Sequence, residues 1–204
     1  MGRSDQGVKA SAGRYTVIPR VLVFVFSEKD VLLLKSAPTK RIWANHYNGV
    51  GGHIEASEDV YSAAMRETKE ETGLDVRDLK LRGIINIDTG PQIDTGAHTG
   101  IMLFVFTARS HERQTCPSEE GTLEWIPLER LHEHDLVEDL PVLLKRISEM
   151  SDDTPPLFVR YAYDSDDQLC ITFAKERKHS VKNDQMGENG CLHTVDEVQP
   201  SGRG

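Results

Sequence analysis

The chain has 204 residues, 38% of them hydrophobic and 28% charged, and its 24 basic and 33 acidic side chains leave a net charge of −9 with histidine neutral. This is an ordinary globular composition, long enough to close one core without staples, and the scattered cysteines Cys116, Cys170 and Cys191 exclude a disulfide framework or a C-x-x-C zinc site. Unpaired cysteines of that kind fit a reducing, cytoplasmic setting. The longest apolar runs, Val21 to Phe26 and Ile101 to Phe106, are too short to span a bilayer, and an acidic chain without a lysine/arginine stripe suits no stable nucleic-acid complex.

In chain order, residues 1–14 are polar and read as a loose arm. Tyr15 to Phe26 and Val31 to Lys35 are β-branched or aromatic runs around the turn-like Ser27-Glu28-Lys29-Asp30, which predicts a hairpin. Ala37 to Gly52 reads as a loop. Ser57 to Thr72 is the clearest helix, with Ser57 as its expected cap, Glu58 and Asp59 in its first turn and Gly73 ending it in a left-handed conformation. Leu79 to Asp88 and Ile101 to Ala108 read as strands, joined by a hairpin loop in which Ile-Asp-Thr-Gly occurs at 87–90 and again at 93–96.

Further along, Leu123 to Leu128 predicts a short strand. Glu138 to Met150 predicts a second helix burying Leu140, Leu143, Leu144 and Ile147, with Pro141 tolerated in its first turn. After a linker at 152–156, Leu157 to Tyr163 and Gln168 to Ala174 read as a terminal hairpin. Residues 175–204 hold few apolar side chains and are expected to be disordered, leaving 15–174 as the folded domain.

The chemistry concentrates between Gly51 and Leu74. On a helix Glu67 stands one turn from both Glu70 and Glu71, so three carboxylates share one patch, which Ala63 and Ala64 leave uncrowded. Like charges at this spacing cost about 0.2–0.5 kcal/mol per pair, and Arg66 and Lys69 relieve only part of that. A solvated helix face is the plain reading. A hard divalent cation with oxygen ligands is the other, and the lack of Cys or His in the patch disfavours zinc.

Spacing separates the two. The stretch fits G-x5-E-x7-R-E-U-x-E-E-x-G-U, with Gly52, Glu58, Arg66, Glu67, Thr68, Glu70, Glu71, Gly73 and Leu74 in order. At a background of roughly 7% per residue type, its fixed identities coincide by chance on the order of 10⁻⁸ per starting point. The stretch resembles the Nudix box, the signature of the Nudix hydrolase superfamily. Tyr47-Asn48-Gly49-Val50-Gly51-Gly52, Glu120 five residues before Trp125, and the 157–174 hairpin are similar to MutT-type members acting on oxidised purine nucleoside triphosphates.

The resemblance implies an α/β Nudix fold, an α/β/α sandwich around a mixed β-sheet. It implies Mg²⁺, with Mn²⁺ as a substitute, held by Glu67, Glu70, Glu71, Glu120 and the Gly51 carbonyl. Glu119 stands in for Glu120 if the loop register slips. Arg66 would orient the glutamates, and Gly52, Glu58 and Gly73 would shape the loop and helix. Glu67 or Glu70, with Glu120 as a third candidate, would take the proton of the attacking water.

The implied substrate is a small nucleotide, such as 8-oxo-dGTP, cleaved to a monophosphate and pyrophosphate. Asn48 would read its base, or serve only as a turn residue before Gly49, and Glu138 with Asp139 would fall where the family places paired acidic base readers. Here one of that pair is Glu, the neighbouring tryptophan is missing, and His53 replaces the family's lysine after the glycine pair. An ADP-ribose or nucleotide-sugar pyrophosphatase and a silent nucleotide-sensing domain are the alternatives. Either monomer or homodimer is compatible with the residues. Trp43 reads as an aromatic plug beside the loop, with base stacking as its alternative, and His132 and His134 read as a solvated turn.

Overall fold

The computed structural model describes residues 14–91, 98–118 and 120–174. The expectations for 1–13, for the second Ile-Asp-Thr-Gly at 93–96, for Glu119 and for 175–204 lie outside the described residues.

The hairpin of β1 (Thr16–Ser27) and β2 (Asp30–Ser36) is antiparallel and closes at Ser27 opposite Asp30. In β1 the odd positions Val21, Val23 and Val25 belong to one core and Leu22 and Phe24 to another. A strand covered on both faces needs apolar side chains at every position, which is why its sequence runs unbroken rather than alternating. The next hairpin is antiparallel too, β4 (Arg77–Ile87) with β5 (Thr99–Arg109), and β5 lies parallel to β1 along its whole length. Beyond β4 comes β7 (Leu157–Tyr163), parallel to it, and then β8 (Leu169–Phe173).

At the other edge, β2 carries β6 (Gly121–Pro127) on one side and the two-residue β3 (Tyr47–Asn48) on the other. The result is one mixed eight-stranded sheet in the order β3-β2-β1-β5-β4-β7-β8, with β6 on β2.

One helix covers each face. Helix α1 (Val60–Thr72) buries Ala63 and Ala64 against Val21, Val23, Val25, Leu32 and Leu34. Helix α2 (Leu140–Ser148) buries Leu140, Leu143, Leu144 and Ile147 against Leu22, Phe24, Leu33, Ile85 and Val159. This is the α/β/α sandwich. Each large apolar side chain buried from α2 contributes about 1.5–3 kcal/mol of transfer free energy. No helix among the described residues is long and apolar enough to cross a membrane.

Three local expectations change. Helix α1 starts at Val60, capped by Asp59 rather than Ser57, because the Asp59 carboxylate accepts from the amides of Tyr61 (2.8 Å) and Ser62 (3.0 Å). Helix α2 starts two residues late, because the chain just before it is drawn onto the sheet. The Tyr47 amide donates to the Asp135 carbonyl (2.8 Å) and the Val137 amide to the Tyr47 carbonyl (3.1 Å).

The loop at 37–52 holds β3, and the chain then runs on beside β1. Val50 and Val23 exchange both backbone bonds, and the Val21 amide donates to the Gly52 carbonyl at 2.9 Å. Residues 47–54 thus fill the gap where β1 and β2 splay apart. That wedge places the glycine pair directly beside α1.

Candidate active site

Helix α1 meets the wedge along one flank. A Cβ at Gly51 would collide with the Val21 carbonyl, so that position requires glycine, whereas one at Gly52 would meet the Glu67 carboxylate and push that side chain aside. At the far end Gly73 takes φ 75° and donates its amide to the Lys69 carbonyl, closing the helix. Thr68, the odd polar choice among apolar neighbours, is fully buried, and its hydroxyl donates to the Ala64 carbonyl at 2.7 Å.

Arg66 holds the acidic turn together. Its guanidinium donates to Glu58 (2.6 and 3.0 Å), to Glu67 (2.9 Å), to Glu70 (3.1 Å) and to the His53 carbonyl (3.1 Å). The Arg66 bond is the main reason the Glu58 carboxyl lies below its ordinary range. Glu58 also accepts the Glu55 amide, so one carboxylate joins the loop to the helix. Glu70 is the outermost of the group, 62% exposed in its side chain, and it does not line the cleft.

Glu71 is different. Its carboxylate accepts the Gly51 amide at 2.9 Å, and burial pushes its pKa up to about 7, with the Gly51 bond opposing and the nearby Glu67 and Glu120 charges adding to the rise. Glu120 enters from the turn just before β6 and pairs with Lys40.

These groups form one end of a cleft of about 730 Å³. Glu67, Glu71 and Glu120 line it together with Gly51 and Gly52; Asn48, Glu138, Asp139, Tyr161 and Tyr163 line the remainder over an apolar floor of Leu22, Ile87, Ile101 and Leu103. Pairing of β3 with residues 135–137 brings Asn48 and the Glu138-Asp139 pair to the same cleft, from positions 90 residues apart in the chain.

Asn48 accepts the Gly49 amide through its Oδ1 at 2.8 Å, so it is a turn residue and a cleft residue at once. Burial raises the Asp139 carboxyl, the Tyr161 hydroxyl bond pulling the other way, and burial with the Asp139 charge raises the Tyr161 phenol.

Trp43 is not a plug. With φ 59° it turns out of the loop, 44% exposed, lines the cleft and meets His46 edge-on at 5.9 Å. His132 lies exposed in a 3₁₀ segment, Leu128–Glu133, and His134 packs edge-on to Tyr47.

Among the described residues no three His, Cys, Asp or Glu side chains are arranged to hold an ion. Each carboxylate instead faces a cation or an amide of the chain: Glu67 and Glu70 face Arg66, Glu120 faces Lys40 and Glu71 faces Gly51. The donors are all oxygen and crowded with like charge, the chemistry a hard divalent cation neutralises.

The NUDIX domain family matches residues 17–147. The chain belongs to the Nudix family, hydrolases of phosphoanhydride bonds. It is 31% identical over 130 residues to the uncharacterized Nudix hydrolase YvcI of Bacillus subtilis, covering 62% of this chain and 73% of that one. It is 29% identical over 129 residues to the oxidized purine nucleoside triphosphate hydrolase of Mus musculus, 61% of this chain and 78% of that one. The crystal structure of the MutT protein from Bacillus halodurans superposes with a TM-score of 0.63 at 26% identity, covering 76% of this chain and 97% of the other.

Arg20, Lys40 and Tyr161 also line the cleft of this Nudix hydrolase, and sequence reasoning missed all three. Arg20 carried a usable signal: it is the one charge inside the run from Val17 to Phe26, at the step from the exposed start of β1 to its buried stretch.

Proposed function

We propose that this Nudix hydrolase is a Mg²⁺-dependent nucleoside triphosphate pyrophosphohydrolase that releases a nucleoside monophosphate and pyrophosphate, with purine triphosphates as its substrate class. The observation that carries the reading is the continuity of one cleft, acidic at the glycine pair and apolar with paired acids and an amide at the other end. The likeness to the murine oxidized purine nucleoside triphosphate hydrolase supports it. At the second end Asn48 and Asp139 offer the donors and acceptors that a purine edge needs.

Glu67, Glu71, Glu120 and the Gly51 carbonyl, which share the cleft, are the groups that would hold the metal, and Glu70, which faces outward on Arg66, would have to turn inward to join them. Bound there, the cation supplies charge neutralisation for the phosphates and lowers the pKa of a water. The protein's own residues do the rest. Arg66 sets the rotamers of Glu67 and Glu70 through its bonds to both, and Glu58 fixes Arg66 in turn. Gly51 and Gly52 let a phosphate approach the backbone. Glu67, which lines the cleft, would take the proton from the attacking water in preference to Glu70, whose side chain is 62% exposed.

The test is a substrate panel of 8-oxo-dGTP, dGTP, dATP and ADP-ribose with Mg²⁺, scored by which phosphate bond breaks. Turnover greatest on a purine triphosphate with pyrophosphate released carries the reading. Turnover confined to ADP-ribose overturns it.

A further inference from the structure

The cleft is poor in positive charge. Six carboxylates line it against two permanent cations, Arg20 and Lys40, and Lys40 is already paired with Glu120. Arg66 is engaged by Glu58, Glu67 and Glu70 outside the lining. Arg20 makes no ion pair among the described residues, and its Nε is buried there without a hydrogen-bond partner. A buried guanidinium donor left unmade is costly and calls for an explanation, of which a water, an ion or a bound ligand is one.

Its position favours the ligand. Arg20 lies on β1 opposite His53 in an antiparallel bridge, flanked by the bonds from the Val21 amide to the Gly52 carbonyl (2.9 Å) and from the Ile54 amide to the Pro19 carbonyl (3.2 Å). That makes Arg20 and His53 a closely spaced, non-hydrogen-bonded pair, Cα atoms about 4.5 Å apart, with side chains on one face. The His53 carbonyl is itself held by Arg66, so the strand that carries the pair is tied to the acidic helix. On the parallel side Arg20 is in register with Leu103, part of the cleft floor. The guanidinium therefore enters the cleft next to the glycine pair, at the junction between the acidic end and the apolar floor.

We propose that Arg20 is a substrate-binding residue whose guanidinium takes a non-bridging oxygen of the nucleotide's phosphate chain. This rests on the reading of the cleft as a nucleotide site. The planar fork matches a phosphate, and the charge offsets part of the polyanion that six carboxylates would repel.

The test is calorimetry on the full chain with Mg²⁺ and three probes: an α,β-methylene analogue of dGTP, inorganic tripolyphosphate and the nucleoside deoxyguanosine. Arg20→Ala is expected to weaken both phosphate probes by about 10- to 100-fold and to leave the nucleoside unchanged, with Arg20→Lys recovering part of the loss. Near-ultraviolet circular dichroism identical to the parent shows that both variants are folded. Weakened nucleoside binding with tripolyphosphate unaffected would assign Arg20 to the base and overturn the proposal, as would three unchanged affinities. The two readings fail separately: tripolyphosphate binding that depends on Arg20 in a protein that hydrolyses no nucleotide keeps the anchor and removes the hydrolase, and turnover whose KM ignores Arg20→Ala does the reverse.

Discussion

The two ends of the cleft are built in opposite ways. The acidic end comes almost whole from one segment, Gly51 to Glu71, where helical spacing and a glycine pair set the geometry, and only Glu120 arrives from elsewhere. The other end draws Asn48 from β3, Glu138 and Asp139 from the chain before α2, and Tyr161 and Tyr163 from β7. A site encoded locally resists change because every residue shares one backbone. A site assembled from distant strands can change its specificity one residue at a time, which suits a family whose phosphate chemistry is common and whose substrates differ.

The sharpest way to break this contrast is at Glu71. Glu71→Gln is expected to lower Mg²⁺-dependent kcat/KM by about 10³-fold while far-ultraviolet circular dichroism stays unchanged, since one charged group of the electrostatic machinery is lost and its shape is kept. Retained activity in that variant would dissolve the acidic end as the reactive one.

The same residue gives a stability effect. Its folded pKa of about 7 lies above the unfolded value, so its contribution is complete below the unfolded pKa and is lost as pH rises through 7. In metal-free buffer the melting temperature of the parent should therefore fall between pH 5 and 8, by the equivalent of about 2–3 kcal/mol, and Glu71→Gln should flatten that slope. Mg²⁺ should restore the parent at pH 8 and leave the variant where it was. A parent melting curve indifferent to pH would contradict the buried, charge-crowded environment.

At the other end, Asp139→Asn is expected to change the ratio of kcat/KM between 8-oxo-dGTP and dGTP by about tenfold, with kcat on the better substrate altered far less. Equal losses on every substrate would show that the second end does not read the base. The smallest effect belongs to Gly73, where φ is 75° and an added Cβ would sit 2.5 Å from the Cys116 sulfur. Gly73→Ala should cost about 1–2 kcal/mol in urea denaturation with kcat unchanged, because it strains the helix end and touches no cleft residue.

Much of the fold was legible from the residues. The strands of the three hairpins and the two helices stand within a few residues of their expected places, since long runs of one periodicity declare their type. What failed were ends and isolated side chains. Ser57 lost the cap to Asp59, whose carboxylate lies within reach of two amides, and β3 went unseen because two residues carry no periodicity. An aromatic side chain beside a loop usually buries, but at Trp43 the left-handed backbone goes with a side chain turned outward.

By itself the sequence determined the acidic turn and its partners, because i, i+3 and i+4 spacing on a helix converts residue order directly into proximity. It also determined the layers, through strands apolar on both faces and helices apolar on one. Only the tertiary structure decided which carboxylates face the cleft and which face solvent, and that Arg20, Asn48 and Asp139 meet across one cavity. Those contacts depend on strand register between segments far apart in the chain, and no local spacing encodes that register.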